Sequence, residues 1–453
     1  MTGRPTTELT PDERDLLTRW ARDTWRSLMA MTDPATGLPS DGIDADLDAR
    51  SRSGYTSPTN IGGLLWSTAL AGRLGFLAPD VCRSRLRRTL ATVARLHRHA
   101  PSGMFVNWYG EADGAALTAM PDGEPIRPFL SSVDNGWLAV ALMVVGRADP
   151  ALAAPCREVL RDMDFGFFHD PAADLLRGGC WIDEPDGEAV RGRYRGDGPD
   201  VWFTPHHYAT LNSESRIGSY VGLALGQLPA GHYAAMQRGS VTHRGTTLVP
   251  TFGGSMFEAL MPELFVDETV WGPTSWGHNH PGTVAAQRDF GLLEAGYGSW
   301  GFSPAARPGG GYSEWGVEAI SVLDGGYPSD LQRTTAAEAA ERGWGDGVVT
   351  PHALALALAH DRPAALAALA DLENRYGAYG PGGFHDAVAV GSGLRAERHL
   401  ALDQSILLAA LGNVLTGGQL RTWFADPTTE LRLRPLMSAE VFPGAGHPDE
   451  RTR

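Results

Sequence analysis

Apolar residues recur along this chain with the period of an α-helix from one end to the other, in two alternating styles. One style is apolar nearly all round. The run 61–77, IGGLLWSTALAGRLGFL, follows a Ser-Pro-Thr-Asn start signal and predicts a buried helix. The other style carries its charge on one face. Residues 9–31 predict a helix that starts near Thr10 with Pro11 and Asp12 in its first turn, and 81–100 predict an arginine-studded partner for 61–77. Pairs of the same kind follow at 133–146 with 151–163, 213–228 with 231–239, 253–265 with 277–296, 351–360 with 362–375 and 401–412 with 417–424. About a dozen helices result, joined by long loops rich in Gly, Trp and Pro, with no period-two run that predicts a strand and no sequence repeat. No charged or Ser/Pro linker interrupts the pattern, so residues 1–453 read as a single all-α domain with its core over about 10–425. Buried helices alternating with surface helices predict two concentric rings, an (α/α)6 toroid whose long loops form a cleft at one end. An irregular α-helical enzyme is the other arrangement the pattern allows. Residues 436–453 are a short polar tail, expected as a surface strap or a disordered end.

Composition removes several chemistries. The 453 residues carry 38 basic and 53 acidic side chains, a formal charge of −15, and lack the concentrated basic face that nucleic acid requires. None of the basic residues is lysine, which excludes a Schiff base and a P-loop. No stretch of about 18 apolar residues could span a bilayer, and the first twenty residues hold no signal-like apolar run, so no membrane partner and a cytoplasmic location are expected. Cys82, Cys156 and Cys180 are an odd number without CxxC spacing, which suits core residues in a reducing compartment.

The chemistry left is that of carboxylates and histidines among aromatic loops. Tyr and Trp faces stack on sugar rings through the apolar axial C–H bonds, while neighbouring acids and histidines take the hydroxyls. On that pattern the substrate-binding candidates are Tyr55, Trp108, Trp137, His206, His207, Tyr208, Trp276, His280 and Trp300, with Glu258 and Glu314 as further acidic positions. Glycoside hydrolysis needs two carboxyl groups, one protonated and one ionised. Asp134, Glu214 and Asp386 stand where apolar helices are expected to begin, at the rim of the inner ring. Helix capping also accounts for Asp134 and Asp386, and pairing with Arg216 for Glu214. The His206–His207 and His278–His280 spacings are not those of a helical zinc site, so neither metal nor cofactor is expected.

The segments YTSPTNIGGLLWS (55–67), PFLSSVDNGWLAVALMVV (128–145), LNSESRIGSYVGLALGQLP (211–229), GGSMFEALMP (253–262), WGFSPAARPGGGYSEWGVEAI (300–320), VVTPHALALAL (348–358), GGFHDAV (382–388) and LALDQSILLAAL (400–411) together resemble the bacterial glucoamylase-like family. That group includes endo-β-1,2-glucanases and the cyclisation region of cyclic β-1,2-glucan synthases. The resemblance implies an (α/α)6 fold and a glycoside hydrolase acting on a β-glucan or gluco-oligosaccharide, with β-1,2 linkage favoured and transglycosylation allowed. It implies Glu214 as general acid, with Asp134 or Asp386 assisting water. The chain departs from the synthases where their WGISES-like motif becomes WGHNHP, which puts His280 in place of a glutamate, and in a short segment before GGSMFE. Two other readings stay open: a barrel repurposed as a transferase, isomerase or cyclase in biosynthesis, and a non-catalytic sugar-binding protein.

Overall fold

The computed structural model describes residues 8–445. Its helices are α1 (Pro11–Met31), α2 (Pro58–Arg73), α3 (Pro79–Val93), α4 (Ser132–Ala148), α5 (Ala153–Arg161), α6 (Arg216–Leu225), α7 (Gly231–Ala235), α8 (Met256–Leu260), α9 (Glu268–Trp271), α10 (Trp276–Asp289), α11 (Ala336–Arg342), α12 (Pro351–Ala357), α13 (Arg362–Asn374), α14 (Ala401–Thr416), α15 (Gln419–Phe424) and α16 (Pro427–Ser438).

The two styles of apolar pattern sort into two layers. Helices α2, α4, α6, α8, α12 and α14 lie side by side in that order, and α14 returns to pack on α2. Between α6 and α8 the circle is joined by Arg216, which donates to the carbonyls of Glu258 and Ala259 at 2.9 and 2.7 Å. Each inner helix has an outer one behind it: α3 on α2, α5 on α4, α16 on α6, α10 on α8, α13 on α12 and α1 on α14. The inner helices are buried all round because they have neighbours on every side; in α2 every residue from Pro58 to Ala71 is buried. Glycine permits their close approach. A Cβ on Gly136 of α4 would meet the Cα of Gly218 of α6 at 3.0 Å.

Three expectations are corrected. The helices expected at 213–228 and 253–265 are shorter, Arg216–Leu225 and Met256–Leu260, the latter followed by a single 3₁₀ turn at Pro262–Leu264. Short strands are present: Phe129–Ser131, Gly179–Trp181, Asp200–Phe203 and Val190–Arg193 form a four-stranded antiparallel sheet in that order, with further two- and three-residue pairings among the loops. Strands of two to four residues are too short for alternation to show in a sequence. Finally, α16 occupies 427–438, past the expected end of the core, and Phe442 behind it packs edge-on against Trp276 with ring centroids 5.0 Å apart. The described part of the tail, 439–445, is therefore a packed strap; 446–453 lie outside the described residues.

Candidate active site

The inner helices bring their first turns to one end of the circle, and each contributes a polar side chain there: Thr59 from α2, Asp134 from α4, Glu214 just ahead of α6, Glu258 from α8, His352 from α12 and Asp403 from α14. Positive helix ends favour carboxylates, so the pattern is electrostatically consistent.

Asp134 is not the cap of α4. Ser131 is, accepting from the Asp134 N–H at 3.1 Å, and the strand Phe129–Ser131 feeds directly into the helix and fixes its start. The Asp134 carboxylate is free to take the Thr59 hydroxyl at 2.5 Å. Burial raises its pKa. Glu214 precedes α6 and accepts the Ser213 hydroxyl at 2.9 Å. Arg216 does not neutralise it, because the guanidinium is pledged elsewhere: Nε and Nη2 donate to Glu268 at 2.7 and 2.8 Å, and the other N–H groups go to the carbonyls of Ser213, Glu258 and Ala259. Desolvation, aided by the Asp134 charge, raises the Glu214 pKa. Both groups are partly water-accessible yet surrounded by protein, the situation of a side chain on the floor of a cleft.

Glu258 closes a capping box with Ser255 and accepts the N–H groups of Gly253 and Ser255 at 3.0 and 3.1 Å. Burial and the neighbouring Glu214 nevertheless push it up to about 7. Tyr208 and Tyr327 share the field of these acids, and burial raises both hydroxyls. The Tyr327 ring lies over Gly253, where a Cβ would come within 2.1 Å of it.

On the opposite side of the ring, Asp386 is buried and accepts the Ala306 N–H at 2.7 Å. It does not begin a helix as expected. It lies between the strands Gly383–Phe384 and Val388–Ala389, facing Asp403, which does stand in a first helical turn. Burial pushes Asp386 up to about 6 and, with the Asp386 charge, raises Asp403 well above the carboxylate range. Two carboxyls so placed share a proton, and Asp403 is the one that keeps it. His352 Nδ1 lies 3.7 Å from Asp403, but burial lowers the imidazole to about 3, so it stays neutral. Asp41 completes the arc, accepting Asn60 of α2 at 2.8 Å and the Tyr55 hydroxyl at 3.3 Å. Tyr312 reaches into the field of Asp403, Asp386, Glu314 and Asp41 although 58% of its surface is open.

The remaining sequence candidates divide. Tyr55 and Trp108 pack edge-on at 5.4 Å, and both are half-buried at the rim. Glu314 is exposed beside Tyr312 and Tyr327. His206 is exposed at one edge, its ring 6.0 Å from that of Tyr208, and desolvation of the enclosed part lowers its pKa. His207 is tied to Asp170 at 2.9 Å beside Arg177, anchoring the loop. Trp137, Trp276, His280 and Trp300 do not line the cleft. Trp137 packs on Trp66 and Phe265; Trp276 lies under the Arg216 guanidinium at 4.5 Å; His280 bonds Glu268 at 3.0 Å with no exposed surface; Trp300 is buried. Large aromatic rings serve a core and a sugar cleft equally well, an ambiguity that local sequence does not resolve. The residues the sequence reading missed are Asp41, Thr59, Asp403, Tyr312, Tyr327 and Phe252, the last 41% exposed with its ring 6.3 Å from Tyr327. Asp403 was visible inside LALDQS, and Tyr312 two residues before Glu314. Nothing local marked the rest.

Among the described residues, His169, Asp174 and His232 form a cluster of metal-ligand type away from these carboxyls. Its groups are engaged with one another and with protein: His169 Nε2 with Asp174 at 2.7 Å, His232 with the Asp174 carbonyl and the Ser219 hydroxyl, both at 2.8 Å.

Residues 207–425 match the family model described as "Putative glucoamylase". The chain is similar to that family over this span. Over 343 residues, 74% of its length, it is 29% identical to a cyclic β-(1,2)-glucan synthase of Rhizobium meliloti, of which it spans about a tenth (10%). The endo-β-1,2-glucanase of Chitinophaga pinensis, solved with sophorotriose and glucose, superimposes with a TM-score of 0.70 at 16% identity, covering 95% of this chain and 99% of that one. The endo-β-1,2-glucanase of Talaromyces funiculosus, solved with sophorose, gives 0.68 at 13% identity over 92% and 88%. These structures share the fold of this chain. Glu214, Glu258, Asp386 and Asp403 lie within the matched span, whereas Asp41, Thr59 and Asp134 precede it. No helix among the described residues is long and apolar enough to cross a membrane.

Proposed function

We propose that this protein is a glycoside hydrolase that cleaves a β-glucan or gluco-oligosaccharide, with β-1,2 linkage favoured, in the cleft of a single (α/α)6 barrel. The observation that carries the reading is the ring of first-turn side chains, in which protonatable carboxyls face one another across one mouth. The circle of inner helices backed by outer ones supports the barrel. The unpaired Cys82, Cys156 and Cys180 suit the cytoplasm.

Glu214 is the general acid. Desolvated, and without a cation of its own, it holds a proton at a pH where ordinary glutamate has lost it, and delivers it to the departing glycosidic oxygen. Asp386 is the base. Its pKa of about 6 is suited to taking a proton from water near neutrality, while Asp403, which keeps the proton the two share, donates to it. Asp134 helps keep Glu214 protonated through its charge. Tyr55, Trp108, Tyr208, Tyr312 and Tyr327 offer ring faces and hydroxyls to sugar units, with His206, Glu258 and Glu314 among the polar groups around them.

Purified protein incubated with linkage-defined glucans, with chromatography of the products, tests the reading. Shorter linear glucans released from β-1,2-glucan are expected, with turnover falling by about 10³-fold in Glu214→Gln and in Asp386→Asn at a melting temperature no lower than that of the unaltered chain. Near-normal turnover in Glu214→Gln would remove it from the mechanism. The synthase relative favours transglycosylation as the second reading, and cyclic or lengthened products would identify it.

A further inference from the structure

Tyr327 also borders a surface pocket of about 190 Å³ lined by Phe290, Glu318, Arg333, Thr334 and Trp344 among others. None of these residues except Tyr327 has a part in the chemistry above. Tyr327 is a shared wall: its hydroxyl senses the charges of Glu258, Glu214 and Glu314, and its ring borders the pocket.

The pocket is built rather than incidental. Asp330, fully buried behind it, accepts the N–H groups of Thr334 and Gly345 at 2.9 Å each and the Tyr297 hydroxyl at 3.4 Å, tying three separate segments together. That knot holds Arg333 with φ at +59°, a left-handed conformation unfavourable for a non-glycine residue, and Trp344 edge-on against Phe290 at 5.1 Å. Strained residues held by their surroundings concentrate at ligand-contacting positions. The Arg333 guanidinium is exposed and makes no ion pair or hydrogen bond among the described residues. Among the described residues the Glu318 carboxylate accepts only the Ala336 N–H, at 3.2 Å. The pocket thus offers two aromatic rings, a free planar fork of N–H donors and a carboxylate with acceptor capacity to spare.

We infer that this pocket is an outer subsite that takes one further glucosyl unit of the chain whose scissile bond lies at Glu214, with Trp344 under the ring and Arg333 and Glu318 on its hydroxyls. A neutral, hydroxyl-rich ring fits this mixture of apolar face and opposite charges, which cancel toward any single charged ligand. The inference rests on the proposed function. Its consequence is a preference for chains long enough to reach from the carboxyls past Tyr327.

The test uses the full chain carrying Glu214→Gln, which retains substrate, and titrates β-1,2-linked gluco-oligosaccharides of increasing length by calorimetry. Affinity is expected to step upward at one chain length. Adding Trp344→Ala should cut the ratio of long-chain to short-chain affinity by about tenfold, and adding Arg333→Gln, at an exposed side chain, should cut it in the same direction. A length step that persists unchanged in both variants overturns the outer subsite and leaves the hydrolase reading standing. Absence of binding by every oligosaccharide overturns the parent reading and the subsite with it.

Discussion

A carboxyl group in this protein is defined less by its own identity than by who donates to it and who shares its charge. Asp386 and Asp403 have the same side chain, yet Asp386 accepts the Ala306 N–H and ionises at about 6 while Asp403 keeps the shared proton. Asp403 acts through Asp386: by donating its proton it stabilises the Asp386 carboxylate and lowers a pKa that burial alone would set higher. Asp403→Ala removes that donor, so the acid limb of the kcat/KM profile, where the base must be ionised, should move to higher pH. Asp403→Asn, whose amide still donates, should bring the limb back. A limb that stays in place in the alanine variant would reduce Asp403 to packing.

The elements explain how Glu214 and Glu258 come to share one field without touching in sequence. Arg216 spends all five N–H groups, two on Glu268 and three on carbonyls, those of Ser213 and Glu258 among them. The guanidinium therefore ties the residue before Glu214 to the first turn of α8. Glu268 also takes the Tyr220 hydroxyl at 2.7 Å and His280 at 3.0 Å, and neither Arg216 nor Glu268 has an exposed side chain. Glu268→Gln would leave a buried arginine half-compensated. A loss of about 3–5 kcal/mol in stability is expected, read as a lower urea midpoint. At this scale the sequence was informative wherever a helix is long: α1, α2, α4 and α14 stand near where the apolar period put them. It was uninformative for α8, whose five residues carry too few turns for a period, and for the strands, whose two to four residues are too few for alternation to show.

Taken whole, the molecule gathers acids that would repel one another were they ionised together, and this has a thermodynamic signature. Asp386 and Glu258 carry folded pKa values of about 6 and about 7 against ordinary values of 3.8 and 4.5. Between roughly pH 4 and pH 7 these two carboxyls hold protons in the fold that they have released in the unfolded chain, so their contribution to stability falls as pH rises through that window and levels off above it. A tenfold difference in proton affinity between the folded and unfolded chain corresponds to about 1.4 kcal/mol. The buried imidazoles of His352 and His399, lowered to about 3 and about 4, act in the opposite sense below pH 6.5, so the acid contribution is read by difference: Glu258→Gln, which preserves the capping box, should lower the melting temperature at pH 5 relative to pH 8 by comparison with the unaltered chain. An unchanged pH slope in that variant would mean that Glu258 titrates normally.

By itself the sequence determined the all-helical character of the core, the two styles of helix and the acid inventory, because those follow from local periodicity and from which side chains are present. It also singled out Asp134, Glu214 and Asp386, through motifs that resemble a family. Only the tertiary structure decided that Asp386 pairs with Asp403, that Trp137, Trp276 and His280 belong to the core, and that Tyr312 and Tyr327 stand in the cleft. Those are facts about which loops meet at the mouth of a closed circle of helices. Closure is a property of the entire chain: the first inner helix finds its last neighbour more than three hundred residues later, where Gly63 meets Ser405.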